Sequence, residues 1–427
     1  MTTSRASICT LTLTFSLALT LYGQSAQQPP AQSQPTHTFK SSTALVEVDA
    51  IMLDKAGKFV PGVKAEDVTL LEDGKPQKIQ QFYMVTHDFG NAPGSPVSEY
   101  ADVADFKTHR LFVILFDETS LANDSLMRAK KGAEQFVREQ MAEQDAGGVF
   151  LNNGMFRSLL TTDKVQLLAG IHAVKPAFDN RQRLLSTFRE FPPISSENDA
   201  MRIADGATEV TKQVASDACQ NDPLDCRAEG GQAEVENKIQ QKALLYIRQA
   251  RTLTRQTMDN LELVAKQLGK LPGRKTVVFI TEGFYVDEFR DSLKMIAGEA
   301  ARNGVTIYSI DARGLINGLS PNPDVVRREQ SRSTTFDTGE DAANILTSGT
   351  GGFMIRGIDD LSRAFGMVAH DTSTYYVIGY TPENAKMDGK LRKIQVKTNR
   401  PDVTVRARTG YLATDLPPQQ SIWGAAK

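Results

Sequence analysis

Three short apolar segments, each followed by an acidic side chain, limit what this chain can fold into. Leu111–Phe116 (LFVILF) leads to Asp117, Lys275–Ile280 (KTVVFI) has an acidic residue two positions on, and Val305–Ile310 (VTIYSI) leads to Asp311. Uninterrupted apolar runs of this length are typical of strands buried on both faces of a sheet. Because amphipathic helical patterns separate the runs, the sequence predicts an α/β fold, with a doubly wound, mostly parallel sheet covered by helices on both faces.

Weaker patterns complete the predicted α/β domain. We expect further strands at Val149–Leu151, Arg157–Thr161 and Gly351–Ile355, and a helix at Asp359–His370. A longer helix is predicted at Ile239–Leu268, where apolar residues recur at helical spacing. Open sheets of this kind bind ligands at the carboxyl ends of their strands.

Both ends of the mature chain carry short alternating strands separated by Gly, Pro and Asp residues, which favours antiparallel pairing. These strands are predicted at Ala44–Met52, Val68–Leu71, Ile79–Val85, Tyr375–Thr381, Lys393–Thr398 and Val403–Thr409. Half of a β-sandwich needs a partner sheet, so we expect the N- and C-terminal strands to form one flanking β-sandwich. Tyr375, Tyr376 and Tyr380 are then expected to pack in its core.

The N-terminus has the pattern of a secretory signal peptide. Arg5 precedes the apolar run Ile8–Tyr22, and the small residues near Ala26 suit cleavage. The alternative is an uncleaved anchor, but the run is shorter than the roughly 20 apolar residues that span a bilayer. We therefore expect export to the periplasm, the cell envelope or the medium, with no integral membrane span after cleavage.

Two cysteines remain in the mature chain, Cys219 and Cys226, because Cys9 lies within the signal. In an oxidising compartment an even count predicts a disulfide. A redox or metal role is disfavoured because the two cysteines do not form a C-x-x-C pair and no His lies nearby.

The expected organisation follows from these patterns. It comprises a signal peptide at 1–26, a linker at 27–37, an N-terminal β segment at 38–90, an α/β domain at 108–372 with an insertion at about 176–255, a C-terminal β segment at 373–413 and a tail at 414–427. The insertion is too long for a bare loop, so it is a candidate functional elaboration. Residues 313–344 are polar and are expected to form a mobile surface loop, with contact to a partner as the alternative.

The charge balance excludes some partners. Lys and Arg total 49 and Asp and Glu total 51, which gives a formal net charge of −2. Without a global positive field, neither a nucleic acid nor an anionic membrane surface is expected as a partner.

Catalytic patterns are weak. Asp117 at a strand end is compatible with an aspartate-based hydrolase, but the second Asp that such a site uses as acid or base is absent from Asp117-Glu118-Thr119. The five histidines form no metal-spaced pair, and no G-x-S-x-G elbow is present. The sequence therefore predicts a protein without a catalytic site and keeps a hydrolase as the less favoured reading.

Four passages resemble the von Willebrand factor type A domain, in particular exported proteins of the acidobacterial type. They are Val68–Gln77, Arg110–Asp117, Leu271–Phe284 and Tyr375–Tyr380. The resemblance covers about residues 40–413 without the insertion, and it implies a Rossmann-like sheet that binds a protein or matrix ligand. In that family a divalent cation such as Mg²⁺ is held at the carboxyl edge of the sheet by oxygen ligands, the type that this hard cation prefers.

The chain keeps only part of the family's metal-binding set, so the resemblance implies a degenerate site. Asp117 and Thr119 match the first two positions, Leu121 replaces a Ser, and Glu282 replaces an Asp. The expected second-loop Thr is absent from residues 175–180. The candidate substitutes are Ser120 and Asp179, and Mg²⁺ or another divalent cation is the candidate cofactor. The alternative is that these polar groups only cap strand and helix ends.

Whether or not a metal binds, the resemblance places the binding face at the loops after 117, 283 and 311, together with the insertion. The candidate binding-face residues are Glu118, Thr281, Gly283 and Asp311. The expected function is an exported, adhesion-type module that binds a protein, matrix or envelope partner. The competing reading is a structural or assembly subunit of a cell-envelope complex without metal-dependent binding.

Overall fold

A computed structural model describes residues 45–87 and 110–418, apart from 153, 159, 195, 285–286 and 315–337. The strands are β1 (Val46–Leu53), β2 (Val68–Glu72), β3 (Lys75–Gln77), β4 (Ile79–Thr86), β5 (Leu111–Phe116), β6 (Ala146–Leu151), β7 (Gly154–Met155), β8 (Lys275–Thr281), β9 (Val305–Asp311), β10 (Met354–Ile355), β11 (Thr374–Tyr380), β12 (Leu391–Thr398), β13 (Thr404–Ala407) and β14 (Gly410–Leu412). The α-helices are α1 (Asn123–Gln135), α2 (Lys164–Ala173), α3 (Arg181–Ser186), α4 (Glu197–Ala204), α5 (Thr208–Asn221), α6 (Pro223–Ala228), α7 (Gln232–Gly269), α8 (Arg290–Arg302), α9 (Thr338–Thr350) and α10 (Leu361–Asp371). The predicted signal peptide and linker lie outside the described residues.

The central sheet has six strands in the order β10-β9-β8-β5-β6-β7. All neighbouring pairs are parallel except β6 with the short edge strand β7. The chain runs outward from β5 in one direction and then returns to β8 to run outward in the other, which is the order of a doubly wound sheet. The predicted α/β class is therefore confirmed.

Strand β5 shows why this sheet needs helices on both faces. Phe112, Ile114 and Phe116 enter one apolar core, whereas Leu111, Val113 and Leu115 enter another. The first core also holds α1, α2 and α10, and the second holds the C-terminal half of α7 together with α8 and α9. Because alternate side chains of a strand point to opposite faces, both faces of this apolar run are buried, each in its own core.

Two four-stranded antiparallel sheets flank this layer, in the orders β13-β1-β11-β4 and β14-β12-β2-β3. Each sheet combines strands from before and after the α/β segment, since β1 pairs with β11 and β2 pairs with β12. One apolar cluster holds residues from both sheets, including Val48, Leu70, Ile378 and Ile394. Tyr376 and Tyr380 belong to this cluster, as the sequence predicts, whereas Tyr375 is buried on the other face of its sheet, with Ile51 and Val377, because neighbouring side chains of a strand point to opposite faces.

The insertion forms a helical unit on the α/β layer. Helices α3 to α6 and the N-terminal half of α7 share an apolar core that includes Ile203, Val214 and Tyr246. A disulfide joins Cys219 at the end of α5 to Cys226 in α6, the pair that the sequence predicts. Helix α7 starts at Gln232, before the predicted Ile239, because the buried Val235 extends its apolar face by one turn.

Two local predictions are wrong. Residues Phe156–Ser158 form a 3-10 turn, and Arg157 and Ser158 have φ values of 54° and 53°, so no strand spans Arg157–Thr161. The predicted loop at 313–344 is cut short by α9, which begins at Thr338; its apolar residues Ala342 and Leu346 are buried against the sheet. Residues 315–337 lie outside the described residues.

Gly352, before the edge strand β10, is predicted to be intolerant of a side chain. A Cβ there would overlap the main-chain carbonyl of Ile307 in β9, and backbone atoms cannot turn aside as a side chain can. We expect Gly352→Ala to lower the free energy of unfolding by about 1–3 kcal/mol or more, the usual cost of overpacking. Guanidinium unfolding followed by circular dichroism measures the change.

The matched control is Gly154→Ala in the opposite edge strand β7, where a Cβ would meet no atom within 4 Å. Equal losses in the two variants would contradict the assigned close approach of Gly352 to β9.

Candidate functional site

The candidate site lies where the connections of the central sheet change direction, between β5 and β8. Asp117 follows β5, and Thr281 is the last residue of β8, so neighbouring strands bring them together at one edge. Ligands of open α/β sheets bind outside the carboxyl ends of the strands at this switch point. The sheet thus collects the residues that the sequence singles out.

The carboxylate of Asp117 is the centre of a buried hydroxyl cluster. Its Oδ1 accepts hydrogen bonds from the Oγ1 atoms of Thr119 at 2.6 Å and of Thr257 at 2.8 Å. Its Oδ2 accepts one from Thr281 Oγ1 at 2.8 Å. Asp117 is only 4% exposed, so these donors replace the water that an exposed carboxylate would have.

Ser120 and Glu282 connect the two strand ends. Ser120 Oγ lies 3.0 Å from Thr281 Oγ1 and accepts the main-chain N–H of Glu282 at 3.1 Å. The Glu282 carboxylate accepts the N–H of Ala122 at 3.1 Å, at the start of α1. A carboxylate at a helix N-terminus is favourable because the free N–H groups there carry partial positive charge. In this contact Glu282 caps a helix.

Residues at the start of helix α3 cover the site. The main-chain N–H of Arg181 donates to the carbonyl of Thr119 at 2.8 Å, and its guanidinium donates to the carbonyl of Gly283. The same guanidinium forms a buried ion pair with Glu197 of α4 at 2.5 Å. Asn180 Nδ2 donates to the carbonyl of Leu121 at 3.1 Å. The insertion is therefore joined to both strand-end loops by polar contacts.

Glu118 and Asp311 are held in separate contacts. The Glu118 carboxylate accepts the N–H of Lys175 at 3.4 Å, and its burial raises the pKa of Glu118 above the usual range. Asp311, at the end of β9, forms an ion pair with Arg313 at 2.6 Å. Neither carboxylate shares a hydrogen bond with Asp117 in the described part of the chain.

The predicted binding-face residues are buried in the described part of the chain. Glu118, Thr281 and Asp311 are each less than 8% exposed, and Gly283 is buried. Among the described residues, a small cavity between Thr119, Ser120 and the insertion has a volume of about 10 Å³. One water needs roughly 10–15 Å³ of such volume, so neither an organic ligand nor a hydrated cation has room there.

The residues present do not fit the divalent-cation site that the resemblance implies. The side chain of Leu121 lies in the apolar core, and the Thr257 hydroxyl donates to Asp117 and lies 2.7 Å from Thr119 Oγ1, where an open ligand position would be needed. Asp179 cannot substitute, because its side chain is 83% exposed and pairs with Arg183. Among the described residues, no group of three or more His, Cys, Asp or Glu side chains is arranged to hold a metal.

Sequence reasoning missed Thr257 and Arg181, which belong to the site through the insertion. A signal for the first exists, because Thr254 and Thr257 interrupt the apolar face of α7 between Ala250 and Leu261. Both threonines are at most 2% exposed. Buried hydroxyls on a helix face need partners, but the pattern does not say which partners they meet.

Comparisons with known proteins give little further information. No known protein family and no curated protein matches the sequence. One solved structure that resembles part of the fold is an aerotolerance-related membrane protein from Bacteroides fragilis with multiple mutations to serines. It is 12% identical, with a TM-score of 0.32, and the match covers 61% of this chain and 97% of that one.

Removing the Thr257 hydroxyl is expected to destabilise the protein. Thr257→Val keeps the shape of the side chain but leaves the Asp117 carboxylate without one donor, and a lost hydrogen bond to a charged group costs about 1.5–3 kcal/mol. Guanidinium unfolding measures the change in the free energy of unfolding.

Thr252→Val on the same helix is the control, since Thr252 is exposed and bonds only to the carbonyl of Arg248 within α7. The role of Thr257 is refuted if both variants lose the same stability.

Divalent cations are expected to leave the protein unchanged. Calorimetric titration of Mg²⁺ or Mn²⁺ into metal-free wild-type protein and into Asp117→Ala should give no saturable heat, because Asp117 already accepts three hydroxyl hydrogen bonds. Saturable heat with the wild type that disappears in Asp117→Ala would show that the hydroxyl cluster opens to admit a metal.

Proposed function

We propose that this chain is an exported module of the cell envelope that binds a protein partner without a metal ion. In this proposal its α/β layer is a von Willebrand factor type A-like domain, and the inserted helices form the partner surface. The observation that carries the proposal is the closure of the switch point by the insertion.

The insertion determines which surface a partner can reach at the carboxyl edge of the central sheet. The carboxyl edge of the central sheet, where such folds usually bind, is covered by α3 and α7, and Asp117 is buried beneath them. A partner that approaches this end of the molecule therefore meets the inserted helices first. Binding functions commonly move to elaborations that a rigid scaffold positions.

Several contacts stabilise the inserted helices. The insertion has its own apolar core, a disulfide between Cys219 and Cys226, and a buried ion pair between Arg181 and Glu197. A preorganised surface loses little conformational entropy on binding, which favours affinity. These features suit a constant binding platform.

The insertion also exposes apolar side chains. On α7, Leu244 and Leu245 are 42% and 51% exposed, whereas Ala243, Tyr246 and Ile247 on either side face the core. Adjacent exposed leucines on the solvent face of a helix are costly in water, and a partner can cover them. We place the centre of the partner surface at this pair.

Export accounts for the expected location. The disulfide suits an oxidising compartment, and the N-terminal 26 residues have the pattern of a cleaved signal. None of the described helices combines the length and the apolar character that crossing a membrane requires. In this proposal the mature protein lies in the envelope or outside the cell.

A catalytic role for Asp117 is not part of the proposal. Its two carboxylate oxygens accept three hydroxyl hydrogen bonds, and the described cavity beside Thr119 and Ser120 measures only about 10 Å³. A nucleophile must reach its substrate at hydrogen-bond distance or closer.

Site-specific photocrosslinking tests the proposed partner surface. With a photoreactive phenylalanine analogue at position 245 of the full chain, produced in the source cells, we expect one discrete protein adduct that persists in EDTA. Leu244→Asp should weaken formation of that adduct, since it places a charge in the apolar contact.

Position 367 is the matched control, because Met367 is 45% exposed on α10 of the α/β layer. The same adduct from both positions, or an adduct from 245 that EDTA abolishes, would contradict a metal-independent surface on the insertion.

A further inference from the structure

A cavity of about 690 Å³ lies at the end of the central sheet opposite Asp117. Its lining includes Leu111, Lys275 and Val305, which are the first residues of β5, β8 and β9. The antiparallel sheet closes its other side with residues of β1, β4 and β11. The volume falls within the roughly 300–1,000 Å³ of typical small-molecule sites.

Two buried cations in this lining have no carboxylate partner. Lys275 is 3% exposed and donates one hydrogen bond from Nζ, to the carbonyl of Leu271 at 2.8 Å. Arg302 is 7% exposed and donates from Nε to the carbonyl of Thr414 at 2.8 Å. In the described part of the chain no carboxylate lies within ion-pair distance of either, and the Arg302 terminal nitrogens donate no hydrogen bond.

Arg408 adds a third cation, which is half-buried. Its terminal nitrogens donate to the carbonyls of Ala301 and Glu47, while its Nε is buried without a partner. Carbonyl oxygens accept hydrogen bonds but carry no net charge, so these contacts do not neutralise the three cations. Two other arginines in the lining are neutralised, since Arg110 pairs with Asp145, and Arg274 lies 3.4 Å from Asp49.

The shifts in pKa show that these three positive charges are unfavourable where they lie. Burial lowers the pKa of Lys275 to about 8, and Asp49 opposes this shift only in part. Burial also lowers the pKa of Arg302 and of Arg408, and the negative charges of Asp415 and Asp49, respectively, oppose these shifts only in part. A buried charge is costly unless it is paired. The described lining holds two carboxylates, Glu47 and Asp49, against the five cations Arg110, Arg274, Lys275, Arg302 and Arg408, so it keeps an excess of positive charge.

We propose that this cavity binds a small organic polyanion, one that carries two or more carboxylate or phosphate groups. Lys275 and Arg302 contact the anionic groups, and Arg408 adds to the positive field. Tyr83, Val85, Tyr375 and Val377 line the side formed by the antiparallel sheet and contact the apolar part of the ligand. This site is independent of the partner surface on the insertion, because it lies at the other end of the central sheet.

Calorimetric titration of the mature chain with pyrophosphate and with citrate tests the proposal. We expect saturable binding of at least one probe, and which one binds tells a phosphate ligand from a carboxylate ligand. Lys275→Met and Arg302→Gln should each weaken binding by about tenfold or more, because each removes one charge-assisted contact.

Lys266→Met is the matched control, since Lys266 is an exposed cation that is paired with Glu262 and does not line the cavity, so binding is expected to stay unchanged. Circular dichroism of each ligand-free variant confirms folding, and if one variant does not fold, the other decides. The proposal is overturned by the absence of saturable heat with both probes at millimolar concentration. Equal affinities of the wild type and the folded Lys275→Met or Arg302→Gln variant also overturn it.

Discussion

The arrangement of the carboxyl-end edge of the central sheet depends on the hydrogen bonds of the buried Asp117 carboxylate. A carboxylate removed from water needs either a counter-ion or several hydrogen-bond donors. Here the donors are hydroxyls from the loop after β5, from the end of β8 and from the middle of α7. One side chain therefore fixes the position of two strands of the sheet and of the helix that carries the insertion.

Buried charged side chains have different partners at the two ends of the central sheet. At the carboxyl ends of the strands, hydroxyl donors surround the Asp117 carboxylate, and Arg181 forms a buried ion pair with Glu197. At the amino ends, Lys275 and Arg302 lie buried around a large cavity, with no carboxylate of the described chain within ion-pair distance of either. In the described part of the chain, the insertion therefore covers the usual ligand-binding edge of the sheet, while the opposite end keeps space and an excess of positive charge.

Much of the fold could be predicted from the sequence, because the patterns involved are local. The apolar run of β5 predicted a strand buried on both faces, and its alternate side chains do enter two separate cores. Asp117 and Thr281 could be placed together, because parallel neighbours end at the same edge of a sheet. The link between Cys219 and Cys226 was predictable because these two cysteines remain after the predicted signal peptide, and an even count in an expected oxidising compartment favours a disulfide. Arg157 was misassigned because a positive φ leaves no periodic signal.

By itself the sequence determined the fold class, the pairing of the two chain ends into sheets and the group of polar residues at the switch point. Only the tertiary structure decided that this group is sealed, since Thr257 meets Asp117 across 140 positions of chain. It also decided which cations lack a counter-charge, because Lys275 looks like any strand-initiating lysine until its surroundings are known. Periodicity reflects interactions between near neighbours in the chain, whereas burial and hydrogen-bond partners depend on which distant segments pack together.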